Sequence, residues 1–382
     1  MAAIRATVLI PTHEHGGLLR LAAASALVQT VRDLEVFIVL DGPDLETKKA
    51  AEDVARADSR VRLFPNEKGE RNGEAHRHVA LREARGRIVC YLSDDDLWFP
   101  DHVEYLEHLL EDADFAHSLT VVALPDGGFH IPYLGDLADP WYRDWLVGPH
   151  NFIPLPATGH ALEAYRSLPV GWSPAPPTVW TDLHMWRKFL AAPGLRLKSG
   201  GRPTLLHFPS PARRHMDLPA RLAEMESWHT ALQAPGAWQA LRVNAYDRLP
   251  AQAAGLQRER LELNADLSQT RLRLTEAEQA AAALREQQSV AEQEAASLRA
   301  EQAADRAQLG VAEREIASLK AEQATDRARL AESAFRIEGL EGELAGIQGS
   351  IAYRASRRLA AIPVIGRLGR WVGRAIAGRG GR

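Results

Sequence analysis

Short apolar runs alternate with amphipathic segments through the first third of the chain. Four runs are rich in β-branched residues and predict buried strands: ATVLIPT (6–12), LEVFIVLDG (34–42), VRLFP (61–65) and GRIVCYLSDDD (86–96). Three further segments have helical spacing and predict helices: about 18–29, 45–57 and 73–84. Strands that alternate with helices imply right-handed βαβ units. The pattern therefore predicts an α/β fold with a mostly parallel, Rossmann-like sheet flanked by helices.

Residues 121–250 are richer in Pro and Trp and have a weaker periodicity. They predict an irregular, loop-rich half that completes the same domain, with PTLLHF (203–208) as its last strand. Beyond Pro250 the composition changes to Ala, Glu, Gln, Leu and Arg, and no further Pro occurs until Pro363. We therefore predict that the first domain spans residues 1–250.

Residues 251–349 carry a heptad pattern. Two seams start at residues 256 and 260 and advance by sevens, and 19 of their 27 positions are Ala, Ile or Leu. This spacing predicts a coiled coil, and one continuous rod of this length would extend about 140 Å. A parallel dimer is the default expectation, so the pattern predicts self-association. A solvated single helix is the alternative.

Residues 350–382 form a basic tail. Eight Arg and no Asp or Glu lie between residues 354 and 382. After Pro363, apolar residues and Arg fall on different faces of a helix, which predicts a short basic amphipathic helix that binds an anionic membrane surface. A tail docked on its own protein is the alternative.

The overall composition is that of a globular protein, with 46% hydrophobic and 25% charged residues. A formal net charge of -4 provides no basic field for nucleic acid, which we do not expect as a partner. The single cysteine, Cys90, has no partner for an intramolecular disulfide. Apolar stretches are too short for a spanning helix. We therefore expect a cytoplasmic protein that the tail holds peripherally at the inner membrane.

Three consecutive carboxylates, Asp94 to Asp96, end the fourth apolar run. One Asp would suffice to cap a helix N-terminus, whereas three adjacent carboxylates repel one another. A bound cation would compensate this repulsion, and hard oxygen ligands favour Mg²⁺ or Mn²⁺. The residues alone leave metal binding and capping both open.

Four blocks of the sequence resemble the successive blocks of inverting family 2 glycosyltransferases with the GT-A fold: VLIPTHEHGGLL, LEVFIVLDGPDLET, NGEAHRHVALREARGRIVCYLSDDDLWFPDHVEYL and VWTDLHMWRKF. The resemblance covers about residues 4–215 and depends on the order and spacing of the blocks. It implies an enzyme that takes a sugar from a nucleotide-sugar donor, with a UDP-sugar favoured. The acceptor would be a glycan or a lipid-linked sugar.

The resemblance also implies which side chains bind the donor. Thr12 and Asp41 would lie beside the nucleoside, with Asp41 accepting a hydrogen bond from the base. Arg77 and Asp94 would be further donor contacts. The cofactor, Mn²⁺ or Mg²⁺, would bind Asp95, the final carboxylate of the family's DxD element. Ser93 occupies the place of the first Asp in that element.

An inverting transfer needs a base that removes the proton from the attacking acceptor hydroxyl. The resemblance assigns this role to Asp182 in WTDLHMW, although Thr181 replaces the Glu that usually precedes this residue in the family. The structural alternative is that Asp182 is the N-cap of a helix beginning near Leu183.

The combined expectation is a metal-dependent inverting glycosyltransferase with a coiled coil and a membrane-binding tail, acting in bacterial surface polysaccharide synthesis. A catalytically inactive scaffold that binds nucleotide or glycan is the alternative, and the departures at Ser93 and Thr181 favour it. This alternative predicts no turnover and no effect of an Asp182→Asn substitution.

Overall fold

Nine strands form one sheet in the computed structural model, which describes residues 3–132, 134–297 and 302–349. In chain order the strands are β1 Ala6–Thr12, β2 Leu34–Asp41, β3 Val61–Asn66, β4 Ile88–Tyr91, β5 Leu97–Trp98, β6 Phe115–Ala123, β7 Phe129–His130, β8 Thr158–Ala161 and β9 Leu197–His207. Their order across the sheet is β3-β2-β1-β4-β8-β6-β9-β5, and β7 pairs with β6.

The sheet has a parallel half and a mixed half. Strands β1 to β4 pair in parallel, as the alternating pattern predicts. In the second half, β4 with β8, β6 with β8, β6 with β7 and β5 with β9 are antiparallel pairs, whereas β6 with β9 is parallel. The predicted α/β class is confirmed, and the sheet as a whole is mixed rather than mostly parallel.

Nine α-helices lie within the described residues up to Asp247: α1 Gly16–Leu27, α2 Leu45–Ala57, α3 Glu74–Leu81, α4 His102–Leu109, α5 Pro140–Val147, α6 Leu162–Ser167, α7 Thr181–Ala191, α8 Leu218–Leu232 and α9 Ala237–Asp247. Helix α2 has its predicted bounds because Asp44 caps it, accepting the Thr47 N–H at 2.8 Å. The prediction of an irregular half over 121–250 is wrong in that this half contains five helices. Two of these, α5 and α6, have eight residues or fewer, and α8 is only weakly amphipathic, so their periodicity is weak in the sequence.

Much of the aromatic content of the second half belongs to the core. Trp172 and Trp186 pack around Tyr91 of β4, with ring centroids 5.4 and 5.7 Å from the tyrosine ring. Trp98 is buried and its indole N–H donates to a backbone carbonyl at 2.8 Å. Trp180, by contrast, is 59% exposed. These contacts fix β4, and with it the carboxylates that follow β4, against the second half of the sheet.

Two long helices, α10 (Leu249–Ser297) and α11 (Gln302–Gly349), follow the sheet. Residues Ala251–Ala345 form a compact unit of their own. Ion pairs join Glu259 to Arg336 at 2.7 Å and Glu278 to Arg327 at 3.6 Å, so the two helices run antiparallel beside each other. Their buried apolar side chains include members of the predicted seams: Leu267, Ala281, Ile316, Ile337 and Leu340.

The prediction of one continuous rod is therefore wrong. A 4-3 spacing fixes which face of a helix is buried but does not say whether the partner helix belongs to the same chain. Here the chain supplies its own partner, and an intramolecular partner has a high effective concentration. Self-association of two chains through these helices stays a prediction.

The helices that the structure describes include none that is long and apolar enough to cross a membrane. The basic tail over 350–382, with its predicted amphipathic helix, lies outside the described residues.

Candidate active site

A cavity of about 530 Å³ opens at the carboxyl ends of β1, β2 and β4, and we call it the first cavity. Parallel strands end at one edge of a sheet, which is where ligands bind in α/β folds. All six candidate side chains from the sequence line this cavity: Thr12, Asp41, Arg77, Asp94, Asp95 and Asp182. The first five come from the parallel half or from helix α3 beside it, and Asp182 comes from α7.

Asp41 is held at the end of β2 by the loop that precedes α3. Its carboxylate accepts the Gly69 N–H at 2.6 Å and the Lys68 ammonium at 2.7 Å. Gly73 in the same loop has a φ of +66°, and a Cβ at this position would lie 2.5 Å from the Asp41 carboxylate carbon. Only glycine combines this backbone conformation with such a close approach. The loop therefore fixes the Asp41 carboxylate at the cavity wall.

Arg77 of α3 lies beneath the first cavity and is almost fully buried. Its guanidinium stacks over Trp172 at 4.8 Å and donates to the Asn72 carbonyl at 2.9 Å. Burial lowers the pKa of Arg77, and the neighbouring carboxylates of Glu74 and Asp182 oppose that shift. Two buried polar atoms at the cavity, Arg77 Nε and Thr12 Oγ1, have no hydrogen-bond partner among the described residues. A polar ligand would satisfy them.

Asp96 has a structural role. It is fully buried, lies 2.9 Å from His207 Nδ1 and accepts the Phe208 N–H at 2.8 Å. These contacts attach the segment after β4 to the end of β9. Asp96 does not line the first cavity.

Asp94 and Asp95 face the first cavity and each has a basic side chain as partner. His15 Nδ1 lies 3.0 Å from Asp94 Oδ1, and Arg221 of α8 donates to Asp95 Oδ2 at 2.7 Å. Burial, together with the neighbouring carboxylates of Asp96 and Asp94, raises the pKa of Asp95. Helix α8 thus brings a positive charge to the carboxylate that the sequence predicts as metal ligand.

The carboxylates of Asp94 and Asp95 fit a magnesium or manganese ion that is shared with a phosphate ligand. Such ions are usually bound through one or two carboxylates together with substrate phosphates and water. Among the residues described, no group of three or more His, Cys, Asp or Glu side chains is arranged to hold a metal by itself. The Arg221 guanidinium already shows that a cation is accommodated at Asp95.

Asp182 lies in the first turn of α7, which begins at Thr181 with Trp180 at the N-cap position. The predicted start near Leu183, with Asp182 as N-cap, is therefore wrong. Asp182 Oδ1 accepts the Leu183 N–H at 2.8 Å, and the Asn151 side chain is a further hydrogen-bond partner. Burial raises the pKa of Asp182, which makes its carboxylate a stronger base than an ordinary aspartate.

A second cavity of about 570 Å³ adjoins the first, and Asp182 and Trp180 line both. The second cavity is mainly apolar; its walls include Leu119, Val122, Leu124, Phe152 and five prolines. Its described lining includes no Lys or Arg, whereas Lys68, Arg71 and Arg77 line the first cavity. Phosphate charge is therefore better accommodated in the first cavity than in the second.

Sequence reasoning did not single out three cationic residues at this site: Lys68 and Arg71, which line the first cavity, and Arg221, which binds Asp95. Lys68 and Arg71 lie in the charge-rich segment NEKGERNGE, where a solvated loop gives the same pattern. Arg221 lies beyond the blocks of the resemblance, on a helix with weak amphipathic character. Only the packing of α8 against α1 shows that it reaches Asp95.

Residues 7–151 match the family model for Glycosyl transferase family 2. The chain is 29% identical over 90 residues to GalNAc(5)-diNAcBac-PP-undecaprenol beta-1,3-glucosyltransferase of Campylobacter jejuni. It is 26% identical over 98 residues to UDP-Glc:alpha-D-GlcNAc-diphosphoundecaprenol beta-1,3-glucosyltransferase WfgD of Escherichia coli. The matches cover 24% and 26% of this chain and 29% and 38% of those relatives. The chain thus spans less than two fifths of the length of either relative.

Two solved structures resemble this chain only distantly. Residues 1–349 of TarS from Staphylococcus aureus give a TM-score of 0.44 at 16% identity, covering 64% of this chain and 79% of that one. The mannosyltransferase PcManGT from Pyrobaculum calidifontis, in complex with GDP-Man and Mn²⁺, gives a TM-score of 0.39 at 18% identity, covering 88% of each chain.

Proposed function

Since the chain carries a glycosyltransferase family 2 domain over residues 7–151, we propose that it is an inverting glycosyltransferase with a GT-A type site. It transfers a sugar from a nucleotide-sugar donor to a glycan or lipid-linked acceptor. The observation that carries this proposal is the convergence of Asp41, Arg77, Asp95 and Asp182 on the first cavity.

The donor binds in the first cavity. Its nucleoside lies at the nucleotide end, formed by Thr12, Asp41 and the loop 68–73, where the Asp41 carboxylate accepts a hydrogen bond from the base. Lys68 and Arg71 give this end positive charge for the diphosphate. A UDP-sugar is favoured, because the relative WfgD is named as a UDP-Glc-dependent glucosyltransferase.

Asp94 and Asp95 would hold the divalent cation, Mn²⁺ or Mg²⁺, together with the donor diphosphate. When bound, the ion supplies positive charge that stabilises the leaving diphosphate. Arg221 and His15 are the chain's own basic side chains at the same two carboxylates. We expect Arg221 to compete with the metal for Asp95.

Asp182 acts as the general base at the other end of the cavity, the base end, formed by Trp180, Thr181 and Asp182. It takes the proton of the acceptor hydroxyl while that oxygen bonds to the anomeric carbon. The bond from this carbon to the diphosphate oxygen breaks, and the diphosphate leaves with the electron pair. Attack opposite to the leaving group inverts the configuration at the anomeric carbon.

The acceptor binds in the second cavity, beside Asp182. Both relatives are named for undecaprenol-linked sugars as substrates, so a lipid-linked sugar at the cytoplasmic face of the inner membrane is favoured for this chain. Bacterial surface polysaccharide synthesis is the corresponding setting.

The tail over 350–382 would hold the enzyme at the membrane surface. Flotation of the protein with anionic vesicles, with and without residues 351–382, tests this role; equal flotation would contradict it.

Sugar transfer by the wild-type protein and its Asp182→Asn variant tests the proposed activity. We expect transfer by the wild type and loss of transfer in the variant, with nucleotide binding retained. An inactive scaffold would show no turnover in either protein while still binding nucleotide.

A further inference from the structure

Glu74 is a fully buried carboxylate that the proposed reaction does not use. It occupies the first position of α3, and its oxygens accept three hydrogen bonds from outside that helix. Oε2 accepts the Asn72 N–H at 3.0 Å, while Oε1 accepts the Thr181 hydroxyl at 3.1 Å and the Ala175 N–H at 3.4 Å. One carboxylate thus joins the loop before α3, the segment before α7 and the first residue of α7.

Thr181 is the residue that replaces the family's usual Glu before the base. Its hydroxyl donates to Glu74 and accepts from the Asn72 side-chain amide at 2.6 Å, so both of its hydrogen-bonding functions are used. A carboxylate is therefore present beside residue 181 after all. It is supplied by α3 rather than by α7.

We propose that Glu74 is a positioning residue. From α3 it supplies the carboxylate that the family usually has at the position of Thr181. Through Thr181 it fixes the first turn of α7 and thereby the orientation of Asp182. The inference rests on the proposed function, because it concerns the base of that reaction.

A helix-terminal role alone does not account for these contacts. An acidic residue in the first turn is favoured by the helix dipole even when it is exposed, as Glu46 is in α2. Glu74 is instead buried, and none of the described cations lies within ion-pair distance of its carboxylate. Burying a carboxylate is costly unless hydrogen bonds satisfy it. Here two of those bonds reach across to α7 and the segment that leads into it.

The same contacts connect the two ends of the first cavity. The Lys68 ammonium binds both Asp41 and the Arg71 carbonyl, at 2.7 and 2.8 Å. Asn72, next in the chain, binds Thr181. A hydrogen-bonded path therefore runs from Asp41, where the nucleoside is proposed to bind, to the residue before Asp182. Glu74 accepts hydrogen bonds from both Asn72 and Thr181 and so stabilises this path.

Two substitutions test the inference: Glu74→Gln, which keeps the shape of the side chain, and Thr181→Val, which removes the hydroxyl. Each is expected to lower kcat on the order of 10 to 100-fold through misplacement of Asp182, with nucleotide affinity retained. The double variant is expected to be no slower than the slower single variant, because both substitutions act on Asp182 through the same Glu74–Thr181 contact. Glu74→Gln combined with Thr181→Glu is expected to recover part of the lost kcat. Glu46→Gln is the matched control and should leave kcat unchanged.

The Leu183 amide provides a readout that needs no turnover. Its N–H donates to Asp182 Oδ1, so its hydrogen exchange reports whether Asp182 keeps its orientation. Exchange at this amide should be about tenfold faster or more in Glu74→Gln and in Thr181→Val, as expected for loss of one hydrogen bond to a charged group. It should be unchanged in Glu46→Gln.

The outcomes separate the two proposals. If the wild type transfers no sugar but exchange at Leu183 responds as expected, the proposed function fails and the positioning role stands. If folded Glu74→Gln protein keeps wild-type kcat and wild-type exchange, the positioning role is wrong. Additive losses in the double variant would also overturn it. Thermal unfolding identifies a variant that fails to fold, and the Thr181→Val variant then decides.

Discussion

The two ends of the first cavity are built in different ways. At the nucleotide end, Thr12 and Asp41 extend directly from the ends of parallel strands, and the Gly69 N–H holds the Asp41 carboxylate. At the base end, Asp182 lies on a helix from the second half of the chain, and the side chains of Asn72 in the loop before α3 and of Glu74 in α3 bind the first residue of that helix. Strand ends are set by the sheet, whereas the base end depends on a few long-range contacts. Substitutions should therefore separate binding at one end from catalysis at the other.

The substitution expected to separate catalysis from nucleotide binding most strongly is Asp182→Asn. Loss of the base should lower kcat on the order of a thousandfold, within the range of general base catalysis. The nucleotide end is untouched, so nucleotide affinity should stay at the wild-type value. Rate assays and calorimetry on the same protein measure the two effects. A variant that loses affinity as well would show that the two ends are not separable.

Asp41→Asn is expected to have the opposite effect: it should weaken nucleotide binding and leave the catalytic rate nearly unchanged. The substitution removes a charged acceptor that binds the loop through Lys68 and Gly69 and would bind the base. Nucleotide affinity should fall about 10 to 100-fold, as for loss of a hydrogen bond to a charged group. The rate at saturating donor should change little. An unchanged dissociation constant by calorimetry would remove Asp41 from the nucleotide site.

A smaller effect is expected at Arg221, which binds Asp95. Replacing it with Gln removes the cation that occupies Asp95. The Mn²⁺ concentration at half-maximal nucleotide binding should fall by about three to tenfold, on the order of the 1 kcal/mol expected when a competing ion pair is removed. The exposed Arg214→Gln variant is the control and should titrate like the wild type. A higher Mn²⁺ requirement in Arg221→Gln would instead make Arg221 a partner of the metal.

The smallest effect is a shift along the pH axis. Burial raises the pKa of Asp182, and the base must be ionised to act. The acid limb of the pH profile of kcat should therefore lie above the pKa of an ordinary aspartate and should disappear in Asp182→Asn. A limb at the ordinary aspartate value would show that Asp182 is not the titrating base.

The same shift predicts a stability difference with a defined sign. A carboxyl whose pKa is higher in the folded state destabilises that state once it is ionised. At neutral pH the free energy of unfolding should thus be higher for the Asp182→Asn variant than for the wild type. The gap should close as the pH falls through the pKa of the folded state. Denaturant unfolding at a series of pH values measures it.

The difference between the two ends also marks what the sequence allows one to predict. Strand ends follow from apolar runs, so the sequence places Asp41 and Asp95 at the ends of predicted strands. The start of α7 was misplaced because its N-cap position holds Trp180 and no side-chain cap marks it. Glu74 looks like an ordinary first-turn acid, and nothing local shows that it reaches Thr181. Long-range side-chain contacts leave no periodic pattern.

The helical segment after Pro250 teaches the same lesson. Its heptad spacing correctly identifies buried positions such as Leu267 and Ile337. The direction of the partner helix depends on where the chain reverses and on cross-helix pairs such as Glu259 with Arg336. Those pairs are visible only once the chain is folded. Light scattering would measure whether two chains associate.

The central claim is that the first cavity binds a nucleotide-sugar donor with the help of Asp95. Calorimetry of UDP, GDP, dTDP and CDP, each with and without Mn²⁺, on the full chain and on its Asp95→Ala variant tests it most directly. We predict metal-dependent binding of one nucleotide, UDP, that is lost in the variant. If no nucleotide binds to the folded wild-type protein under any of these conditions, the claim is wrong.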